Sequence, residues 1–432
     1  MRVLSADWVV PVEGPPIRDG AVAIADDGTI AEVGGRRELP DGTHHADAVI
    51  LPGFVNAHTH LEYDVYTGFG DGLGFADWIG LHVERKTRLG FEDMEAIARL
   101  GVLECLRSGI TTVGDCSFSG AAAIACADLG LGGTIYLEVF GSGDEPIRER
   151  FGPMRERISG WLSDRVRLGI SPHAPYTCTI ELYRAADALE LPVATHLAES
   201  DAETEFLRTG RGTWESFAEM LVPPPGTTGI RALAEAGLLH SNVIAAHCVK
   251  ADEEEIALLA EHDVAVAHCP RSNGFLGCGV APLTALREAG LRVCIATDSP
   301  ASTPSFDMFD EMRAAIVGAR AREGRPDALT AAHALELATL GGAHALGLGD
   351  SLGSLVPGKQ ADLTVLSLAD TAFIPWEDPV TGAVLGGSPQ RVVATLVSGT
   401  PRYEKGGNAW LELIDAARNA RGRLLQHADP KS

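Results

Sequence analysis

The stretch ILPGFVNAHTHLE (residues 50–62) runs a short β-branched segment, Ile50–Val55, into two histidines, His58 and His60, set two residues apart. The same phrase recurs along the chain: a short apolar run, a polar residue at its end, then a stretch with helical spacing. The runs are Ile50–Val55, Ile110–Asp115, Thr134–Phe140, Val166–Ser171, Pro192–His196, Asn242–His247, Val264–His268 and Arg292–Thr297. Between them, Glu92–Ser108 carries Met94, Ile97, Leu100, Leu103 and Leu106 along one stripe, and Gly109 follows as a stop. Ala251–His262 and Ala281–Ala289 read the same way. Alternating β and α units in this number predict an α/β fold, a (β/α)₈ TIM barrel over residues 51–351.

The flanks differ from this pattern. Residues 1–50 and 352–404 hold short strands punctuated by Asp26-Asp27-Gly28, Gly34-Gly35, Gly353, Pro357-Gly358 and Gly386-Gly387. Two β-rich ends enclosing a barrel predict one small β-sandwich assembled from both termini. A closing helix is expected within 405–432.

Composition narrows the function classes. Of 432 residues, 59 are Asp or Glu and 35 Lys or Arg, for a net charge of -24. A phosphate backbone or an anionic membrane surface is repelled by such a field, which argues against nucleic acid and membrane as partners. No apolar run reaches the ~18 residues of a membrane span. The opening MRVLSADWVV turns polar too soon for a signal peptide, so a cytoplasmic setting is expected. The eight cysteines form no C-x-x-C pair, which excludes a zinc ribbon and the P-C-x-x-C zinc deaminases and predicts reduced core thiols. Gly68, Gly70, Gly72 and Gly74 miss the spacing of a nucleotide fingerprint and read as a loop.

A barrel carries its chemistry at the C-terminal ends of its strands. Those positions hold His58 and His60, Asp115, His173, His196, His247, His268 and Asp298. Fourteen histidines in this length produce about half an H-x-H by chance, so His58 and His60 alone decide little. Several imidazoles and a carboxylate converging on one barrel mouth make a nitrogen/oxygen set suited to Zn²⁺ or Fe²⁺. Such an ion acidifies a bound water. No lysine lies between Lys86 and Lys250, so no carboxylated lysine is available on the fourth strand to bridge two ions; a single divalent ion is expected. Glu199, three residues after His196, is a candidate proton carrier, and Asp298 a candidate ligand and proton acceptor. His247 reads either as a polarising group or as a brace.

The segments LPGFVNAHTHLE (51–62), SGITTVGD (108–115), SPHAPYT (171–177), THLAES (195–200), AAHC (245–248), AHCPRSN (267–273), ATDSPAS (296–302) and ATLGGAHALGLGDSLGSLVPGKQADL (338–363) resemble, in order, the deaminase/chlorohydrolase branch of the amidohydrolase superfamily. The resemblance covers nearly the whole chain. It implies a metal on His58, His60, His196 and Asp298, acid/base roles for Glu199, His247 and Asp298, and a substrate contact at His173. It further implies water attack on the amino-bearing carbon of an adenine-type ring, with loss of ammonia. HTHLE, THLAESDAETEFLRTGRGT (195–213) and CPRSN look like the aminofutalosine deaminases of menaquinone synthesis, whose substrate joins an adenine nucleoside to a benzoate. On that likeness Arg271 becomes a bidentate carboxylate clamp, and Glu84 an acceptor for ribose hydroxyls. The alternatives are deamination of S-adenosylhomocysteine, 5′-methylthioadenosine or adenosine, and more distantly a triazine chlorohydrolase or aminohydrolase. A barrel that had lost its metal and served as an interaction protein is the rival from another class, and the intact ligand set argues against it. The expected partner is a small-molecule substrate, with a homodimer left open.

Overall fold

The computed structural model describes residues 1–212, 214–370, 377–407 and 411–426. Eight parallel strands follow one another around a barrel: β5 (Phe54–Thr59), β6 (Ile110–Ser117), β7 (Gly132–Val139), β8 (Val166–Pro172), β9 (Val193–Leu197), β10 (Val243–His247), β11 (Ala265–His268) and β12 (Arg292–Ile295), each paired to the next in chain order. The seam between the last strand and the first is closed beyond β12. There the Asp298 amide donates to the His58 carbonyl at 3.0 Å, and the Asn56 side chain bonds Thr297 through both its oxygen and its nitrogen. Closing the barrel is therefore what brings His58 and Asp298 side by side. Small and β-branched residues fill the interior, among them Val55, Ala57, Cys116, Ala194, Ile244, Ala267 and Ala296, around Tyr136.

The terminal segments supply the other sheet. The strands β1 (Arg2–Val9), β2 (Ile17–Ile24), β3 (Ile30–Gly35) and β4 (Thr43–Pro52) join β13 (Leu363–Ser367), β14 (Val392–Val397) and β15 (Thr400–Glu404) in the order β15-β14-β13-β4-β1-β2-β3. Side chains from both halves of this sheet meet in one core, with Leu4, Val22 and Ile24 against Ile50, Leu363, Val365 and Leu396.

One boundary differs from the expected first run. Ile50–Val55 is not one strand: Ile50 pairs with Val365 in the terminal sheet, and the barrel strand starts at Phe54. Pro52 lacks an amide to continue a ladder. Gly53 sits so close to Thr111 that a Cβ would fall 2.3 Å from its side chain, so only glycine fits the crossing between the two sheets.

After β5 the chain forms a 3₁₀ segment, Leu61–Tyr66, and then α1 (Phe75–Lys86) and α2 (Phe91–Arg107). The terminal helix Leu411–Leu425 packs Ala417, Ala420 and Leu424 against Val65, Tyr66 and Ile97. Residues 408–410 and 427–432 of the expected closing helix lie outside the described residues. All eight cysteines are buried and unpaired. No helix among the described residues is long and apolar enough to cross a membrane.

Candidate metal and catalytic centre

Alternate residues of an extended chain share a face, so His58 in β5 and His60 just after it both turn toward the barrel mouth. Asp115, at the end of β6, accepts from the Leu61 amide at 2.6 Å and the Thr59 hydroxyl at 2.9 Å, which fixes the turn that follows His60. Asp115 thus braces the ligands rather than joining them. His196 ends β9 and is oriented by Nδ1, 2.7 Å from the His173 carbonyl, so Nε2 faces inward. Asp298 follows β12; its Oδ2 accepts from Ser272 at 2.6 Å and Ser302 at 2.9 Å, leaving Oδ1 for the histidines. That oxygen lies 3.7 Å from His58 Nε2 and 3.4 Å from His60 Nε2, and His60 Nε2 lies 3.4 Å from His196 Nε2.

These donors fit a divalent metal. His58 Nε2 is buried with no hydrogen-bond partner, although burying an unpaired polar atom is costly. Burial lowers His58 well below its ordinary value, with His196 and His60 adding to the effect, and brings His60 down to about 3. Both imidazoles therefore keep their lone pairs at neutral pH. Asp298 stays below the ordinary carboxyl range: burial works to raise it, and the facing His60 and His247 with the Ser272 hydroxyl outweigh that. Three imidazole nitrogens and one carboxylate oxygen, with His196 and Asp298 oriented by hydrogen bonds behind them, make a Zn²⁺-type donor set.

Beside it stand the proton-handling groups. Glu199 follows β9 and precedes Ser200, whose hydroxyl caps the helix Asp201–Thr209, so the turn holds it at the mouth. The turn itself is tied by Glu203, which accepts from the Ala198 amide at 2.9 Å and the Glu199 amide at 2.7 Å. Burial, reinforced by Asp298 and Glu203, pushes the Glu199 carboxyl well above its ordinary range. His247 places Nδ1 2.9 Å from Asn273 Oδ1 and Nε2 3.6 Å from Glu199 Oε1. Burial lowers it to about 4. Ala198, His247, Cys248 and Asp298 all adopt left-handed backbone (φ 51°, 73°, 48° and 60°), a concentration of strain at the mouth.

His60, His196, Glu199, His247 and Asp298 floor a cavity of about 970 Å³, counting its open mouth. His173 lines it, tied by Nδ1 to Thr177 at 2.8 Å. His268 is buried and off the cavity lining.

Two residues expected as substrate contacts lie off the cavity lining. Arg271 is 8% exposed and does not line the cavity. Its Nε bonds Glu311 at 2.5 Å, its own amide bonds the same carboxylate, and Nη2 reaches the Ser305 carbonyl. The guanidinium thus pairs with a buried acid away from the cavity lining, with Nη1 left without a hydrogen bond. Glu84 points outward from α1 and pairs with Arg88, while its neighbours Val83, Lys86 and Thr87 face the cavity. The wall also holds residues outside the expected set: Tyr63, Trp78, His82, Lys86, Phe118, Glu138, Phe140 and Tyr176. A signal for three of them was present. Glu138 is the one carboxylate inside the apolar run Thr134–Phe140, and His82 and Lys86 stand one helical turn apart. Burial raises Glu138 to about 7, opposed by Lys86 and Arg150, and lowers Lys86 to about 8, opposed by Glu138.

A (β/α)₈ barrel with a histidine/aspartate donor set and a protonatable carboxyl at its strand ends defines a metal-binding hydrolase. Comparison with known proteins specifies which kind. The amidohydrolase family matches residues 49–404. A 5-methylthioadenosine/S-adenosylhomocysteine deaminase of Moorella thermoacetica is 35% identical over 90% of this chain and 91% of its own length. A 5′-deoxyadenosine deaminase of Methanothermobacter thermautotrophicus is 34% identical over 89% of each chain. The zinc-bound structure of an adenosine deaminase from Xanthomonas campestris superposes with a TM-score of 0.86 at 29% identity, covering 98% of both chains. A zinc-bound atrazine chlorohydrolase of Arthrobacter aurescens shares the fold (TM-score 0.83, 22% identity; 98% of this chain and 100% of its own). The chain belongs to the amidohydrolase family, and it is a hydrolytic deaminase.

Proposed function

We propose that the protein hydrolytically removes the 6-amino group of an adenine nucleoside, using one Zn²⁺ held by His58, His60, His196 and Asp298. The observation that carries this is Glu199, a buried carboxyl that lines one cavity with His60, His196 and Asp298 and whose burial pushes it well above the ordinary carboxyl range. An acid kept neutral there hands its proton to the ring nitrogen beside the attacked carbon. When bound, the ion supplies Lewis acidity that makes water a nucleophile near neutral pH. Asp298 Oδ1 takes a proton from the attacking water and passes it to the departing amine, while Ser272 and Ser302 hold its other oxygen. His247, neutral through burial and oriented by Asn273, presents Nε2 to the oxygen that becomes the product carbonyl. The aromatic and aliphatic wall, including Trp78, Ile79, Tyr176, Phe217 and Met220, suits a flat base and an uncharged arm and excludes water from it.

The substrate's 5′ end is the finer question. Aminofutalosine rests on the motif likeness alone once Arg271 is engaged by Glu311. The names of the relatives support methylthioadenosine, S-adenosylhomocysteine and 5′-deoxyadenosine as candidates beside it. The cytoplasm suits the eight unpaired thiols. The test is ammonia release by the zinc-loaded protein, with these nucleosides, aminofutalosine and adenosine compared by kcat/KM. Turnover of 5′-modified adenosines above adenosine is expected. No ammonia from any adenine nucleoside, or chloride release from a triazine instead, overturns the reading.

A further inference from the structure

The terminal helix Leu411–Leu425 lines no part of the cavity, yet it is bonded to the segment that builds one of its walls. Arg421 donates to the carbonyl of Val65 and, at 3.2 Å, to that of Thr67, partway between His60 and α1. Arg85 of α1 donates in turn to the Leu424 carbonyl at 2.7 Å. Leu424 lies in the last turn of the terminal helix, where carbonyls lack intrahelical partners and the helix dipole is negative. The guanidinium carbons of Arg85 and Arg421 both lie over the Phe69 ring, 4.2 and 4.8 Å from its centroid. Phe69 and Trp78 pack against the cluster that Ala417, Ala420 and Leu424 share with Val65 and Tyr66.

The placement of α1 depends on such outside contacts. The chain enters it through Gly68, Gly70 and Gly72, all in left-handed backbone, and Gly74 at its N-cap has no side chain to bond the first-turn amides. Phe75 and Ile79 join the cluster of Trp214 and Phe217 on one side, and the terminal helix supplies the other. Trp78, Ile79, His82 and Lys86 face the cavity, whereas Arg85 reaches away from it. A slide or rotation of α1 would move this wall while the metal donors stay on their barrel strand ends. We infer that Arg421 and Arg85 are positioning residues: through Phe69 and the Val65, Thr67 and Leu424 carbonyls they lock the terminal helix to α1 and so set the wall against which substrate packs. The inference rests on the cavity being the nucleoside site.

The experiment combines amide hydrogen exchange, read by mass spectrometry, with binding and kinetics of the zinc-loaded protein. Without ligand, Arg421→Met is expected to speed exchange in residues 75–86 about tenfold through lost charge-assisted hydrogen bonds, with residues 243–247 unchanged and Arg421→Lys in between. 5′-Deoxyinosine, the deaminated product of 5′-deoxyadenosine, is expected to bind Arg421→Met about tenfold more weakly. The KM for 5′-deoxyadenosine should rise alike, while kcat stays within about twofold and bound zinc does not change. In the parent protein, 5′-deoxyinosine should slow exchange in residues 411–425 as well as in 75–86, a readout that needs no variant. Unchanged exchange in residues 75–86, unchanged binding and KM in a folded variant, or protection of the parent confined to residues 75–86 overturns the inference. Failure of 5′-deoxyinosine to bind, with no ammonia from any adenine nucleoside, removes the nucleoside reading instead. The ligand-free exchange then still decides whether the clamp holds α1.

Discussion

The barrel mouth and the terminal sheet are both made of strands closed to water, yet they bury opposite things. The sheet encloses Leu4, Val22, Ile50, Leu363, Val365 and Leu396, apolar residues in ordinary extended backbone. The mouth encloses His58, His60, His196, His247, Glu199 and Asp298, with left-handed backbone at Ala198, His247, Cys248 and Asp298. Apolar burial stabilises in proportion to area, whereas a buried imidazole or carboxyl costs free energy until a partner arrives. The difference teaches that one region holds the molecule together and the other spends that stability on preorganised donors.

The contrast can be broken at its strongest point first. Asp298→Asn removes a ligand and the proton acceptor, and turnover is expected to fall by about 10³-fold or more. Bound zinc measured by atomic absorption is expected to fall with it, while the apo protein's melting temperature does not. Retained turnover would show that another group accepts the proton.

Arg271→Met comes next and reverses the expectation drawn from sequence. Removing the guanidinium leaves Glu311 buried and unpaired, for a loss of about 3–5 kcal/mol of stability. Denaturant unfolding reads that loss, and activity per folded molecule is expected to fall alike for carboxylate-bearing and neutral nucleosides. A loss confined to carboxylate-bearing substrates would restore the clamp.

In the terminal sheet, Leu363→Ala is expected to cost about 2–5 kcal/mol. Its kcat/KM, measured well below the unfolding transition, should match the parent; a change would mean that the two regions are coupled.

A subtler probe sits between them. Burial raises Glu203 to about 7 although the Glu199, Ala198 and Ser200 amides oppose it. Its folded value lies above its ordinary 4.5, so its stabilising share is full below about pH 4.5 and is lost as pH rises through about 7. Glu203→Gln should flatten that part of the melting temperature's pH profile, and an unchanged slope would show that the carboxyl is not raised.

The smallest effect belongs to Glu84→Ala. The pair with Arg88 is exposed, so stability is expected to move by less than about 0.5 kcal/mol and KM to stay unchanged. A rise in KM would put Glu84 back in the cavity.

The histidines and Asp298 were legible because strand ends of a barrel converge by construction, and a polar residue closing an apolar run marks such an end. Glu199 was legible for the same reason, three residues past His196. Arg271 misled because sequence shows a cation near the mouth but not Glu311, forty residues later, that occupies it. Glu84 misled by one helical position: α1 turns Val83, Lys86 and Thr87 inward and Glu84 outward. The Ile50–Val55 run hid a change of sheet at Gly53, since β-branched residues suit both sheets equally.

The sequence by itself determined the order of elements, the barrel and the residue types at its mouth, because periodicity and strand-end polarity are local. Only the tertiary structure decided which charges are already satisfied and which still face the cavity. The pairing of Arg271 with Glu311, and the shared cavity wall of the unpaired Lys86 and Glu138, are set by helix rotation and packing between segments far apart in the chain, and neither is written in local spacing.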